Sequence, residues 1–499
     1  MRNHLAPWLL LLVMSQLPTD LVLAEPLDIE PGVRQLFLDD HVVENIEGLQ
    51  RVTHQATKSP HNPVLRRGKP WETFRVMLYG TVVYDEEDQL FKMWYAPIPK
   101  NSAVKEAVKV NGKNRVPWVT LVAYATSQDG VHWDTPNLGQ VDFEGSRDNN
   151  LINIGQDNIE GISVLRNSHS SDPNKKWLAF FWEHHSYRSS EFGVPPYDDS
   201  APGVWEHGMW AAYSADGIHW TNHGQVIARD SDTHQMVLYD PQLKKYLCYN
   251  RIGAGGRKTA RLESNDFLKW GEPQRVFETD QMDPPRTQIY GMSILIYEGL
   301  YVGVPWLMYE DGVIDMHLAY SRDGIQWNRP QDRTPLIACG EEGSWDAADL
   351  RMGKTIVVKD DKIYMYYCGA IAVHPTKPGE GEAYSYEYQQ KYRSMHIGLA
   401  TLRRDGWISL RPDGNSGTLQ TKVIRWPGGT LHTNVNAENG SLAITVKSPE
   451  GQTLTHSTSI VGDRLKTPVK LHGQPPQPGD TVSLEFTITN GDLYSFWWE

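Results

Sequence analysis

The chain has 499 residues, 39% of them hydrophobic, with 18 Trp and 23 Tyr, so it can bury several cores and is too apolar to be disordered over most of its length. A formal net charge of −13 argues against nucleic acid or an anionic membrane surface as a partner and leaves neutral or locally recognised ligands open. Three cysteines, Cys248, Cys339 and Cys368, are too few for a disulfide framework and lack metal-site spacing, so they read as free thiols.

Residues 1–24 read as a secretion signal, which implies a secreted or periplasmic mature protein. A polar, basic start (Met1-Arg2-Asn3-His4) precedes an apolar run, Leu5 to Met14, and Val22-Leu23-Ala24 offers small residues before a cut at Glu25. The apolar run is too short to span a bilayer, and no later stretch is long enough.

From Tyr79 onward the chain repeats itself. Ser127 to Trp133 reads SQDGVHW, Ser214 to Trp220 reads SADGIHW, and Ser321 to Trp327 reads SRDGIQW; Ser264 to Trp270, SNDFLKW, is a weaker copy, and RRDGWISL from Arg403 a degenerate one. Each strong copy follows an apolar-aromatic run, the pattern of a strand, a tight Asp-Gly turn and a second strand opening on a packed Trp. Extended outward, the repeat gives five blades, at 79–133, 162–220, 235–270, 290–327 and 353–410. Five four-stranded antiparallel units predict a five-bladed β-propeller over residues 25–412, with an N-terminal strand. Long insertions, His184 to Val204 and Ile371 to Arg393, read as binding loops on the face where the chain enters each blade. Residues 413–499 change to alternating strands with Asn-Gly turns, the pattern of a C-terminal β-sandwich. The fold class is therefore all-β. The closing Phe496-Trp497-Trp498 reads as packing, with an exposed sugar platform as the alternative.

A propeller gathers the starts of its inner strands around one axis, and this chain places acids there repeatedly. Glu160 enters blade two, Asp232 and His234 blade three, Asp283 and Arg286 blade four, and Trp345, Asp346 and Asp349 blade five. Trp71 and Glu72 precede blade one, with Arg75 nearby. Second-strand ends add Trp182, Glu183, His184, His185 and Arg251. Several carboxylates around one pocket suit glycosidic cleavage, in which one acid protonates the leaving oxygen while another attacks or activates water. Glu160, Asp232, Asp346 and Asp283 are the catalytic candidates, and the other residues, with aromatic walls from Trp71, Trp182 and Trp345, the substrate-binding ones. Such acids also cap turns, and that alternative stands for each singly. No cofactor is expected, although Asp and Asn oxygens around an axis suit a structural Ca²⁺.

The chain resembles the five-bladed propeller glycoside hydrolases of the invertase and arabinanase superfamily, and especially exported family 32-like bacterial proteins. The resemblance is carried by LFLDDHVVENIEGL, HNPVL at His61, the Ser-x-Asp-Gly-x-x-Trp turns, IYGM at Ile289, GSWDAADLR at Gly343 and LYSFWW. It implies a secreted glycoside hydrolase acting on a carbohydrate. The invertase acid phrases are not intact here, so the site candidates rest on blade geometry. The alternative is a non-catalytic carbohydrate-binding or cell-surface protein on a hydrolase scaffold; a third reading is a lyase or epimerase using His184 or Tyr309 as base. The repeated turn also looks like the Asp-boxes of sialidases, which are structural.

Overall fold

The computed structural model describes residues 25–99, 108–115, 119–155, 159–183, 208–227, 234–253, 256–374, 391 and 394–499; the expected secretion signal, Asp232, His184 and His185 lie outside them. The described chain is all-β. Five antiparallel units follow one another, the last two joined in one nine-stranded sheet by a parallel pairing of Ile314 with Asp349. Unit one holds Arg75–Asp85, Leu90–Ile98 and Ala123–Ser127, and unit two Ile159–Arg166, Trp177–Glu183, Gly208–Ser214 and Trp220–Ile227. Unit three holds Gln235–Asp240, Lys245–Ile252, Lys258–Ser264 and Gln274–Phe277. Unit four holds Gln288–Tyr297, Leu300–Met308 and a third strand broken into Ile314–Met316 and Ala319–Ser321. Unit five holds Asp349–Met352 and Val357–Lys359, then Lys362–Ala370 and His396–Arg403.

Period-two alternation explains how the units stack. In Trp177–Glu183 every residue is buried, because both faces are covered. Trp177, Ala179 and Phe181 pack with Trp94 and Tyr124 of unit one, whereas Leu178, Phe180 and Trp182 pack with Val237, Cys248 and Leu262 of unit three.

The first strands are joined in a closed circuit by side chains bonded to the next main chain. Thr81 Oγ1 donates to the Ile162 carbonyl and accepts from Val164 N–H. Ser163 Oγ accepts from Val237 N–H, and Met236 Sδ from Ile294 N–H. Ser293 Oγ donates to the Gly353 carbonyl, and Thr355 Oγ1 returns to unit one through Val82 O and Val82 N–H.

The repeated turns fasten these units from outside. In each of the four better copies the Asp carboxylate (Asp129, Asp216, Asp266, Asp323) accepts the two following backbone N–H groups two and three residues on, and the Ser hydroxyl donates to it. The fourth turn residue is left-handed in all of them: Gly130 (φ 76), Gly217 (φ 79), Phe267 (φ 68) and Gly324 (φ 68). Its carbonyl receives a donor from the preceding unit in three: Tyr366 OH on Gly130, Trp94 Nε1 on Gly217 and Tyr249 OH on Gly324. In the fourth copy the corresponding aromatic of unit two, Phe180, has no donor and packs on Phe267 at 6.0 Å.

The fifth copy departs from the sequence expectation. In RRDGWISL the left-handed residue is Asp405 (φ 64), one position early, so the turn is a different one. Ile408–Pro412 leaves unit five and pairs with Leu49–Thr53 and, at Leu410, with Leu493. Unit five is closed instead by Thr57–Lys58, paired with Thr401 and Ala400. A twelve-stranded sheet assembly combines the C-terminal strands with the segments Leu27–Asp28, Gln35–Leu36, Val43–Glu47 and Leu49–Thr53, so the N-terminal segment extends that body. Its core includes Phe37, Trp426, Phe486, Phe496 and Trp498, and Trp497 is also buried, so the terminal aromatics are packing and no exposed platform. Cys248 and Cys368 are buried and Cys339 is half-buried; all three are free, and burial pushes the thiols up to about 12, 11 and 12 respectively.

Asp405 joins the two bodies. Its fully buried carboxylate takes Arg34 Nη1 at 2.7 Å, Asn434 Nδ2 at 3.0 Å, Ser495 Oγ at 2.6 Å and the Tyr297 hydroxyl. Arg34 in turn lies 3.7 Å over the Trp497 ring. Replacing Asp405 by Ala strands these donors and is expected to cost about 3–5 kcal/mol in urea unfolding. Tyr249→Phe and Tyr366→Phe, which remove one turn bond each, are expected to cost about 1 kcal/mol each in the same measurement.

Candidate functional site

The first strands carry short or apolar side chains beyond the hydroxyl circuit, and polar ones before it. At that entrance end a dense cluster forms. Arg351 donates Nε and Nη2 to the two oxygens of Asp349 at 2.8 and 2.7 Å, and Nη1 to the Tyr79 hydroxyl at 2.6 Å. The spacing Asp349-x-Arg351 puts both side chains on one face of one strand, which is what makes the bidentate pair. Tyr290 lies beneath three guanidinium groups, those of Arg251, Arg351 and Arg257, at 4.7, 5.0 and 5.3 Å from its ring. Arg251 also donates to the Tyr290 carbonyl at 3.0 Å, and the Tyr290 hydroxyl meets His374 Nε2 at 3.0 Å. Trp306 closes one side, 4.3 Å from His234 and stacked with Tyr79 at 6.2 Å.

Glu160, His234 and Lys354 are all buried, and Lys354 interacts electrostatically with each of the other two. Burial, with Lys354 and Arg251 adding to it, holds the His234 pKa well below the ordinary imidazole value, so this ring is neutral. Its Nδ1 accepts from Met292 N–H at 3.4 Å, which leaves Nε2 protonated, and that nitrogen has no hydrogen-bond partner among the described residues. Burial opposes the charge on Arg351, but Asp349, Tyr290 and Tyr79 outweigh it and raise its pKa well above the usual value. Burial raises the Tyr79 hydroxyl against the pull of Arg351, so it remains a hydrogen-bond donor. The site thus offers two carboxylates, fixed cations, a neutral imidazole donor and an aromatic wall, a set suited to a polyhydroxylated ligand.

Of the residues named from sequence, Glu160, His234, Arg251 and Asp349 meet here. Arg75, Trp182 and Glu183 are buried, and Glu183 is paired across strands with Ile159 beside Glu160. Tyr79, Tyr290, Trp306 and Arg351 were missed because they sit inside apolar strand runs, and Lys354 because it lies just past one. The signal available was the i, i+2 spacing of Tyr79, Asp349 and Arg351 with the strand starts.

Other candidates are committed elsewhere. Asp346 is bonded on Oδ1 by Ser344 at 3.1 Å and on Oδ2 by Lys58 at 2.6 Å and Tyr367 OH at 2.8 Å. Lys58 belongs to the closing strand, so this acid ties the N-terminal segment to unit five. Trp345 stacks on Tyr367 at 5.5 Å. Asp283 receives Arg329 Nη1 on both oxygens at 2.7 Å, both partners being buried. Arg286 reaches Glu310 at 2.6 Å on the surface. Glu72 accepts from Tyr95 OH at 2.8 Å and from Gly68 and Lys69 N–H, while Trp71 Nε1 donates to Asn150 at 3.1 Å. Burial and Asp315 raise the Tyr309 hydroxyl, which bonds Asp315 at 3.0 Å, so it is protonated and unsuited to act as a base. Among the described residues no group of three or more His, Cys, Asp or Glu is arranged to hold a metal ion, and no helix is long and apolar enough to cross a membrane.

No family model matches the chain, and no curated protein does. Among solved structures, it is similar to an N-acetylgalactosamine deacetylase from F. plautii in complex with blood group B trisaccharide, at 14% identity over 72% of this chain and 97% of that one, with a TM-score of 0.44. A β-1,2-mannobiose phosphorylase from Listeria innocua gives 12% identity, 70% and 97% coverage and a TM-score of 0.48. A family 43 arabinoxylan arabinofuranohydrolase from Bacillus subtilis, in complex with cellotetraose, gives 10% identity, 89% and 99% coverage and a TM-score of 0.37. These likenesses are weak, and the site described above stands on its own contacts.

Proposed function

We propose that the five units are the blades of a β-propeller carrying a β-sandwich, and that the axial cluster is the active site of a secreted glycoside hydrolase. The observation that carries this reading is the convergence of Glu160, Asp349, Arg351, Arg251, His234 and Tyr79 at the entrance of a closed ring of first strands. A sugar needs several fixed donors and acceptors against an aromatic wall, and its cleavage needs a carboxylate beside them. Asp349, gripped on both oxygens, is an orienting group. Glu160 is the reacting carboxylate, and Asp232, which precedes His234 by two residues, is the candidate for its partner. Asp346 and Asp283, held in ion pairs with Lys58 and Arg329, brace the blades.

A panel of defined glycans incubated with the purified protein is expected to yield a released sugar. Glu160→Gln is expected to lower that rate by about 10²-fold or more while the chain still folds and unfolds in one cooperative transition. Asp346→Ala is expected to do the reverse, costing about 1–3 kcal/mol of stability because Lys58 and Tyr367 lose their acceptor. Wild-type turnover in Glu160→Gln sinks the site assignment. Retained glycan binding with no released sugar favours the non-catalytic alternative. N-terminal sequencing of the exported protein is expected to begin at Glu25.

A further inference from the structure

Lys354 is the one lysine among the described residues with its side chain wholly buried at the ring axis, and the hydrolytic reading leaves it unused. It follows Gly353 on the continuation of the fifth first strand, where the circuit bonds of Ser293 and Thr355 flank it. Its backbone N–H donates to the Gly80 carbonyl of unit one at 2.8 Å, next to Tyr79. Its amine crosses the axis and donates to the Gln235 carbonyl of unit three. The Gln235 side chain donates to the Gly161 carbonyl at 3.0 Å, beside Glu160 in unit two. Lys354 and Gln235 together therefore link four units at the polar cluster. The titratable groups that act on the amine are Cys248 from unit three and Glu160 from unit two, and the amine in turn lowers the pKa of His234 from unit three. Cys248 keeps its proton, its thiol being pushed up to about 12 by burial, and His234 is neutral.

We propose that Lys354 is the positioning residue of the axial site, a buried ammonium whose charge holds Glu160 as a carboxylate and so gives Glu160 the base or nucleophile role, leaving proton donation to another group. The proposal rests on the reading of the axial cluster as the site. A full charge on Lys354 is costly without a counter-charge, and a carboxylate at Glu160 is costly without a cation; each stabilises the other. Burial lowers the Lys354 pKa to about 7, against the opposing pull of Cys248 and Glu160. Because that value lies below the unfolded one near 10.5, the unfolded chain binds a proton between about pH 7 and 10.5 that the folded chain lacks. Stability therefore rises with pH across that window.

Two measurements on the full chain test this. In the first, the unfolding midpoint is followed from pH 6 to 10 for the wild type, Lys354→Met and Glu160→Gln. The wild type is expected to gain stability above pH 7, Lys354→Met to lack that gain, and Glu160→Gln to start it about one pH unit or more lower, because the amine has lost its counter-charge. Superimposed wild-type and Glu160→Gln profiles, or a gain retained in Lys354→Met, overturn the proposal. If Lys354→Met does not fold, Lys354→Arg serves: a permanently charged guanidinium also removes the gain. In the second, kcat/KM on the sugar released in the glycan panel is followed against pH. Coupling is reciprocal, so the acid limb is expected to move up by the same interval in Lys354→Met and to return in Lys354→Arg. An unmoved acid limb overturns the positioning role. A wild type that releases no sugar overturns the hydrolase reading, while the stability profiles still decide whether Lys354 and Glu160 are coupled.

Discussion

The constraint on which the rest depends is the closure of the five first strands. Neighbouring first strands are not paired as one sheet around the axis, so main-chain polar groups facing the next unit need other partners. Thr81, Ser163, Met236, Ser293 and Thr355 supply them, one from each unit, and the fifth bond returns to the first unit. The Thr and Ser side chains at this level serve two ends at once: they reach the adjacent backbone and let the strands approach, while Met236 reaches across through its sulfur. The aromatic donors on the turn carbonyls, Trp94, Tyr249 and Tyr366, repeat the same logic at the rim.

Closure separates the axis into two unlike ends. Beyond the hydroxyl circuit lies an open cavity of about 530 Å³ whose lining is mostly apolar, Val83, Val164, Val237, Leu238, Ile294 and Ile356 among it, with Arg166, Ser168 and His169 also on its wall. Before it lie Arg351, Asp349, Lys354, Glu160 and His234, buried among Tyr79, Tyr290 and Trp306. Apolar filling is the ordinary way to stabilise such an interior, and buried charges are at best neutral for stability. Their concentration at one end therefore adds little to cohesion.

What the sequence revealed follows from range. The repeated turns are local: a Ser hydroxyl, an Asp carboxylate and a left-handed fourth residue lie within six positions, so the phrase marks the units reliably. Strand register then pointed to Glu160, His234 and Asp349 at the strand starts and to Arg251 at a second-strand end. Acids in the entering loops, Asp346 and Asp283, look the same in sequence, but each meets a cation from a distant segment, Lys58 or Arg329, that no local pattern discloses. Arg351 and Tyr290 were hidden for the opposite reason, since they interrupt strands whose other residues are core, and Lys354 sits just past the end of one. RRDGWISL misled by one position: with the left-handed turn at Asp405 the carboxylate no longer caps its own backbone and turns to Tyr297, Arg34, Asn434 and Ser495.

That displaced turn determines how the two bodies depend on each other. The strand after it, Ile408–Pro412, pairs with Leu49–Thr53, and only three residues separate the latter from Thr57–Lys58, the strand that closes unit five. The closing strand is two residues long and holds few bonds of its own, too few to offset the entropy of ordering a free chain end. Anchoring Leu49–Thr53 in the second body shortens the segment that must still be ordered, so the strand docks as an extension of something already fixed. The Lys58–Asp346 bond then adds a directed contact at the end of that tether. The second body is thereby part of the ring's closure, and through it of the geometry in which Asp349, three residues after Asp346, presents its carboxylate to Arg351.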